Sequence, residues 1–327
     1  MGVSAQEAKA WAQEGLVGLW GAATCPFRED GSLDEEGFRK NLRYWRDVLQ
    51  LRGMFVAGLM GEFWSLGVEE RKRIFQITVE ETKGSGMYNL LAICDVNVRD
   101  AVNLAEYARQ IGGDILIVMN PRFYAPQTPK DELVYEYYAM ICEAADMPVF
   151  MFNQPSMVGY AMSPECIARV ATIPNVIGIK NVTDSVHQLE TRRLCGDKIL
   201  VSDPDESRWL VNRARYGQRA LVACPEVYLY QSSEWQPVRE YTEALEAGDL
   251  EKAEQISHGM ERVRRAFRTA MEGVEPSKRR AVMKYWQELL GQVGGRVRFP
   301  QKELTTEEKQ RVRELFERSG LRRAGVA

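Results

Sequence analysis

Histidine is nearly missing from this chain: His187 and His258 are the only two among 327 residues, and neither stands in an H-E-x-x-H or H-x-H arrangement. A histidine-built zinc site and a serine–histidine triad are therefore disfavoured as sources of chemistry. The six cysteines (Cys25, Cys94, Cys142, Cys166, Cys195 and Cys224) are scattered, with no C-x-x-C pair. Disulfide frameworks belong to small secreted chains, so reduced and mostly structural thiols are expected. An excess of one charge sign is also lacking. Forty-three basic residues face 46 acidic ones, a net charge of −3, without the electrostatic footprint of a nucleic-acid binder. No apolar run approaches the roughly 20 residues of a membrane span. The opening MGVSAQEAKAWAQEG is polar and helix-like, with no apolar signal core, and Gln6 stands where a myristoylation signal wants Ser or Thr. A cytoplasmic protein without nucleic-acid or membrane partners is the expectation. Its chemistry has to run on lysine, tyrosine, carboxylates and backbone, with no metal and no organic cofactor.

What the chain does have is a regular alternation. Short runs rich in Val, Ile, Leu and Phe fall at 16–24, 53–58, 88–94, 114–119, 147–152, 176–180, 198–202 and 219–224. They are apolar nearly throughout, as strands buried on both faces of a parallel sheet are. Segments of helical period lie between them, at 34–50, 67–84, 98–111, 129–145, 163–173, 183–195 and 205–216. Helix-start signals accompany several: Thr128-Pro129, Ser163-Pro164-Glu165 and Asp205. Eight strands each followed by a helix is the count of a (β/α)8 TIM barrel. The rival, a doubly wound open sheet, usually carries G-x-G-x-x-G after its first strand, where this chain reads AATCPFREDG. The expected architecture is an α/β barrel with a helical lead over residues 1–235. A closing helix and C-terminal helical extension follow over 236–327, with helices at 236–247, 249–270, 276–291 and 305–319.

Active sites of such barrels lie at the C-terminal ends of the strands. Read in order, those ends are Thr24; Gly58 to Glu62; Asp95; Asn120 to Tyr124; Phe152-Asn153; Lys180-Asn181; Asp203 to Glu206; and Cys224-Pro225. Lys180 stands out because it ends the apolar run Val176-Ile177-Gly178-Ile179. Burial disfavours the ammonium form and lowers the pKa. A neutral amine attacks a carbonyl to form a Schiff base, and the iminium is an electron sink for making or breaking the adjacent bond. The plainer alternative is a lysine that snorkels to solvent or pairs with a carboxylate. The Leu59 and Met60 amides offer a small nest for a carboxylate. Glu62 serves more readily to satisfy loop amides. Arg122 is placed to grip an acid, with Phe123 and Tyr124 as pocket walls, and surface packing is the equal alternative. Asp205 and Glu206 suit polyol hydroxyls, although Asp205 is also a good helix N-cap.

At these residues the chain resembles the dihydrodipicolinate synthase / N-acetylneuraminate lyase family of Schiff-base-forming barrels. Thr24-Cys25-Pro26-Phe27 is similar to a first-strand T-P-F segment. Gly58-Leu59-Met60-Gly61-Glu62, with Leu66 and Glu70-Arg71, is similar to a G-x-x-G-E…L-x-x-x-E-R block. Asn153-x-Pro155, Gly178-Ile179-Lys180 and Gly295-x-Val297-Arg298-x-Pro300 match three further motifs. The resemblance implies that Lys180 is the Schiff-base lysine and that family members are homo-oligomers, dimers or tetramers. It also exposes departures. The proton-shuttling tyrosine of the fifth strand is Phe152, the hydroxyl pair of the second-strand loop is Leu59-Met60, and the arginine after the fifth-strand motif is Met157. Lysine biosynthesis is therefore disfavoured. Asp205-Glu206 resemble the acidic pair of the sialic-acid lyase branch, and Gly61 to Leu66 resemble the G-E-F-F-S-L of sugar-acid dehydratases. The resulting expectation is an aldolase or dehydratase acting on a 2-oxo acid, pyruvate or a pyruvate-derived aldol, with a water, the substrate carboxylate, Tyr124 or Tyr160 in place of the phenol. An aryl-substituted 2-oxo acid suits Phe63, Trp64, Phe123 and Phe152. The alternative is a silent or regulatory keto-acid binder that has lost the shuttle.

Overall fold

The computed structural model describes residues 3–122 and 130–321. All eight apolar runs form strands: β1 (Gly18–Ala22), β2 (Gly53–Val56), β3 (Tyr88–Ile93), β4 (Ile115–Met119), β5 (Val149–Asn153), β6 (Val176–Asn181), β7 (Leu200–Ser202) and β8 (Ala220–Cys224). Every pairing is parallel, and the order β7-β6-β5-β4-β3-β2-β1-β8 follows the chain around a barrel. The strands are buried almost without exception, because the barrel interior covers one face and helices cover the other.

β7 and β8 stand at the two ends of this order, and side chains close the seam between them. Ser202 Oγ accepts from the Val222 amide (2.8 Å) and donates to Ala220 O (3.0 Å). Gln218 Nε2 donates to Ala220 O and Asp203 O (3.0 Å each), while its Oε1 accepts from Asp203 N at 3.0 Å. Two buried polar side chains thus satisfy backbone groups that a ladder would satisfy elsewhere.

Helices fill the gaps between strands, with two differences from the periodicity reading. The segment read as one helix over 249–270 is broken into Leu250–Gly259 and Glu261–Glu272, at a glycine, the weakest helix former after proline. The first long helix ends at Arg43 and continues as a wider π turn through Tyr44–Val48. Two four-residue helices, Pro155–Val158 and Glu226–Leu229, follow β5 and β8 directly; units this short leave no periodic signal. The expected cap holds at Ser163, whose Oγ accepts from Cys166 N at 3.0 Å; Thr128-Pro129 lies outside the described residues. Helix Ala8–Gly15 lies at the N-terminal end of the barrel, where Trp11 meets Tyr88 edge-on and Lys9 donates to Ala171 O. The chain after β8 is helical, ending in Arg279–Leu289 and Thr306–Ser319. No helix among the described residues is long and apolar enough to cross a membrane.

Close approach fixes one residue next to the candidate lysine. A Cβ on Gly178 would stand 2.2 Å from the Phe150 ring, so only glycine lets β5 and β6 pack here. The register then sets Phe152 beside Lys180 and Lys180 beside Ser202.

The seam generates a first prediction. Ser202→Ala leaves the Val222 amide without its buried acceptor, while the Ala220 carbonyl keeps Gln218. It is expected to lower unfolding free energy by about 1–3 kcal/mol, read by urea titration; an unchanged midpoint would show that the seam does not need the hydroxyl.

Candidate functional site

Lys180 projects into the C-terminal end of the barrel. Its residue is only 5 % exposed, and Nζ donates to Ala223 O at 2.6 Å. The Phe152 and Phe55 rings lie 4.7 and 5.2 Å from Nζ and meet each other edge-on. Two effects compete on the amine. Ring faces attract an ammonium by about 0.5–2 kcal/mol, whereas full burial can move a lysine by several pKa units. Burial wins, and the pKa is lowered from 10.5 to about 8; the buried Cys224, Glu226 and Cys94 oppose the drop, and Arg280 adds to it.

Phe152 has no buried polar atom to offer, and its ring forms the wall beside the amine. Asn153 serves the scaffold: Nδ2 donates to Asn181 Oδ1 (2.9 Å) and Oδ1 accepts from Met162 N (3.1 Å). Leu59 and Met60 sit in the turn after β2. Among the described residues neither of their amides donates a hydrogen bond, so both remain available to a carboxylate.

Leu59 also lines a cavity of about 400 Å³ with Trp64, Met157, Arg279, Arg280 and Pro300. The buried Trp64 Nε1 and Arg280 Nε have no acceptor among the described residues. Arg280 Nη1 donates to Met283 Sδ at 3.3 Å, and burial pushes the Arg280 pKa down against the pull of Glu62, Tyr228 and Glu226. Two buried donors, one cationic, in a mostly apolar cavity have the chemistry that a carboxylate would complement.

Three expected substrate contacts are engaged otherwise. Glu62, fully buried with a left-handed φ of 58°, pairs with Lys284 Nζ at 2.6 Å and accepts from Arg298 N at 2.9 Å. The Arg298 guanidinium in turn grips Glu70 with two bonds (2.6 and 3.0 Å) and donates to Ser65 O at 2.9 Å. Glu62 is a fastener between the β2 loop and the C-terminal segment, with no oxygen left for substrate. Glu206 is likewise committed: Arg264 binds it with two nitrogens (2.8 and 3.0 Å) and Tyr241 OH donates to it at 2.7 Å. Asp205 caps the turn that follows it, accepting from Ser207 N at 3.0 Å, and pairs with Arg208. Polyol binding by this pair therefore finds Glu206 already satisfied.

Arg122 is exposed just beyond β4, and Phe123 and Tyr124 lie outside the described residues. Tyr160 donates to Pro121 O at 3.0 Å, and burial pushes its phenol up to about 12. All six cysteines are buried and unpaired, and among the described residues no cluster of three His, Cys, Asp or Glu side chains is placed to hold a metal.

Two residues near Lys180 escaped the sequence reading. Glu226 directly follows Cys224-Pro225, so the strand-end list stopped one residue short of it. Arg280 had no signal at all, since nothing in a helical segment reveals that one of its residues returns over a barrel mouth.

A parallel barrel with a buried lysine at the C-terminal strand ends defines the class. The dihydrodipicolinate synthetase family model matches residues 15–319, and the chain belongs to that family. It is 28% identical over 306 residues to a 4-hydroxy-tetrahydrodipicolinate synthase of Nitratidesulfovibrio vulgaris, covering 93% of this chain and 98% of that one. It is 30% identical over 193 residues to an N-acetylneuraminate lyase of Clostridium perfringens, covering 58% of this chain. The match spans 65% of the length of that lyase. Among solved structures, dihydrodipicolinate synthase from Aquifex aeolicus superposes with a TM-score of 0.81 at 21% identity, covering 95% of this chain and 100% of that one. The Escherichia coli K12 prophage protein YagE, in complex with pyruvate, gives 0.81 at 22% identity, covering 93% and 99%. These two likenesses speak for the fold.

The Glu62 fastener yields a second prediction. Lys284→Met strands a buried carboxylate and is expected to cost about 3–5 kcal/mol. Adding Glu62→Gln should recover a large part of that loss in denaturant titrations; equal losses in the single and double variants would contradict the pairing.

Proposed function

We propose that the chain is a class I lyase, an aldolase or dehydratase, that binds a 2-oxo acid through a Schiff base at Lys180. The observation that carries the reading is a buried amine with one acceptor at the functional end of this barrel, a setting that lowers its pKa. At pH 7 a pKa of about 8 leaves roughly a tenth of the amines neutral, against roughly 0.03% at the ordinary value. That gain of about 300-fold in nucleophile is what carbonyl attack requires.

The amine adds to the keto carbon, the carbinolamine loses water, and the iminium draws in the electrons of the bond broken next to it. The Leu59 and Met60 amides hold the substrate carboxylate, and Arg280 supplies positive charge beside it. Positive charge there also disfavours a second cation at Lys180, adding a little to the lowering that burial causes. Phe55, Phe152, Leu59 and Met157 make the surroundings apolar, which favours an alkyl or aryl remainder over a polyol chain. The family relation supports a cytoplasmic homo-oligomer.

Borohydride reduction in the presence of pyruvate and longer 2-oxo acids is expected to add the reduced keto acid to the Lys180 peptide, read by mass spectrometry. Adduct formation should rise with pH between 6 and 8.5, because the amine loses its proton across that range. Absence of an adduct over the whole panel would remove the proposal. Lys180→Met should abolish the adduct and, by removing a buried cation, raise stability by about 1–3 kcal/mol.

A further inference from the structure

Breaking a bond beside an iminium moves protons, and the wall residue Phe152 has none to move. Tyr160 spends its hydroxyl on Pro121 O. Glu226 comes from the end of β8, the strand whose Ala223 carbonyl holds the amine. It opens the short helix that follows, three positions beyond Ala223.

The Glu226 side chain lines a second cavity, of about 320 Å³, with Asp205, Glu206, Tyr230, Arg264 and Met283. The cation in that cavity is already taken, since Arg264 is bound to Glu206 by two nitrogens. Among the described residues no cation lies within ion-pair distance of Glu226 itself. The charged and titratable groups that face it are Lys180 from β6, Cys224 from β8, Asp205 and Glu206 from the segment after β7, Arg280 from helix Arg279–Leu289, and Tyr228 and Tyr230 from its own segment. Burial, then the like charges of Glu206 and Asp205, outweigh its hydrogen bonds to its own amide and Cys224, and its pKa is raised to about 7. A carboxyl that is half ionised near neutrality both takes and returns protons efficiently.

We propose that Glu226 is the proton-transfer group of this site, standing in for the phenol that Phe152 lacks; the inference rests on the Schiff-base reading of Lys180. With the iminium formed, the carboxylate removes a proton from C3 of the bound 2-oxo acid. The C–H electron pair becomes the C2=C3 bond, and the C2=N pair settles on nitrogen. In aldol cleavage the carboxylate instead takes the proton of the C4 hydroxyl. The C3–C4 pair then becomes C2=C3, and the aldehyde departs. Reversal returns the proton from the same carboxyl, so no further reactant is needed.

The test follows hydrogen exchange at C3 of pyruvate in deuterium oxide by proton NMR, beside borohydride trapping at Lys180 in the same full-length protein. Glu226→Gln is expected to trap pyruvate about as well as the parent while exchange per trapped imine falls about 10²-fold or more. In the parent, exchange per imine should rise with pH through about 7, as the carboxyl ionises, and this rise should vanish in Glu226→Gln. Glu226→Asp, which keeps the carboxyl one methylene back, should retain part of the exchange and its pH rise. It also decides the matter if Glu226→Gln does not fold. Trapping with exchange unchanged in these variants would overturn the role of Glu226 and leave Lys180 standing. No trapping in the parent protein would overturn both.

Discussion

A lysine ammonium carries three N–H donors, and at the end of β6 Lys180 meets one carbonyl, that of Ala223. The remaining surroundings are two phenyl rings, packed strands and buried thiols. Charging this amine means desolvating a cation that has no carboxylate in ion-pair contact among the described residues, which is among the costlier things a protein interior does. Burial therefore raises the neutral share to roughly a tenth at pH 7, and a neutral amine under a barrel mouth is a nucleophile. The closure of the β7–β8 seam by Ser202 and Gln218 bears on the same point, because Ser202 is the in-register neighbour of Lys180. A gap there would admit water beside the amine and return its pKa toward the ordinary value.

The family motifs divide into those that touch this amine and those that hold the frame around it. Gly178 belongs to the first kind, since its missing Cβ lets Phe150 and β6 approach. Glu62, Glu70 and Arg298 belong to the second. They lie far apart in sequence yet meet in one cluster that pins the β2 loop, and with it the Leu59 and Met60 amides, to the C-terminal segment. The Asn153–Asn181 contact similarly ties β5 to β6 one residue beyond the Phe152–Lys180 pair. Among the described residues, Glu62 and Glu206 are thus spent on buried cations, whereas Glu226 has no cation within ion-pair distance.

The barrel was readable because strands buried on both faces cannot hide their composition, and all eight apolar runs became strands. Lys180 was readable in part for the same reason: a lysine closing an apolar run ends either buried or snorkelling to solvent, and its place in the Gly178-Ile179-Lys180 motif favoured the first. What sequence could not separate was a carboxylate facing a substrate from one facing a buried cation. Glu62 and Glu206 look free on paper because their partners, Lys284 and Arg264, are contributed by helices more than fifty residues away. Arg280 was hidden by the same distance in sequence. The break at Gly259 shows the converse limit, for helical periodicity continues across a kink that a single glycine introduces.

On the proposed function the site is a family frame with altered chemistry at its rim: Phe152 where the resemblance implies a phenol, the Leu59 and Met60 amides where it implies hydroxyls, and charge from Arg280 and Glu226. All of it depends on the protonation of one side chain in the ligand-free protein. Direct titration of Lys180 by NMR of selectively labelled lysine Cε, assigned with Lys180→Met, tests that dependence. A midpoint near 8 is the predicted result. A midpoint near 10.5, the ordinary lysine value, would show that the amine is solvated and would contradict the account.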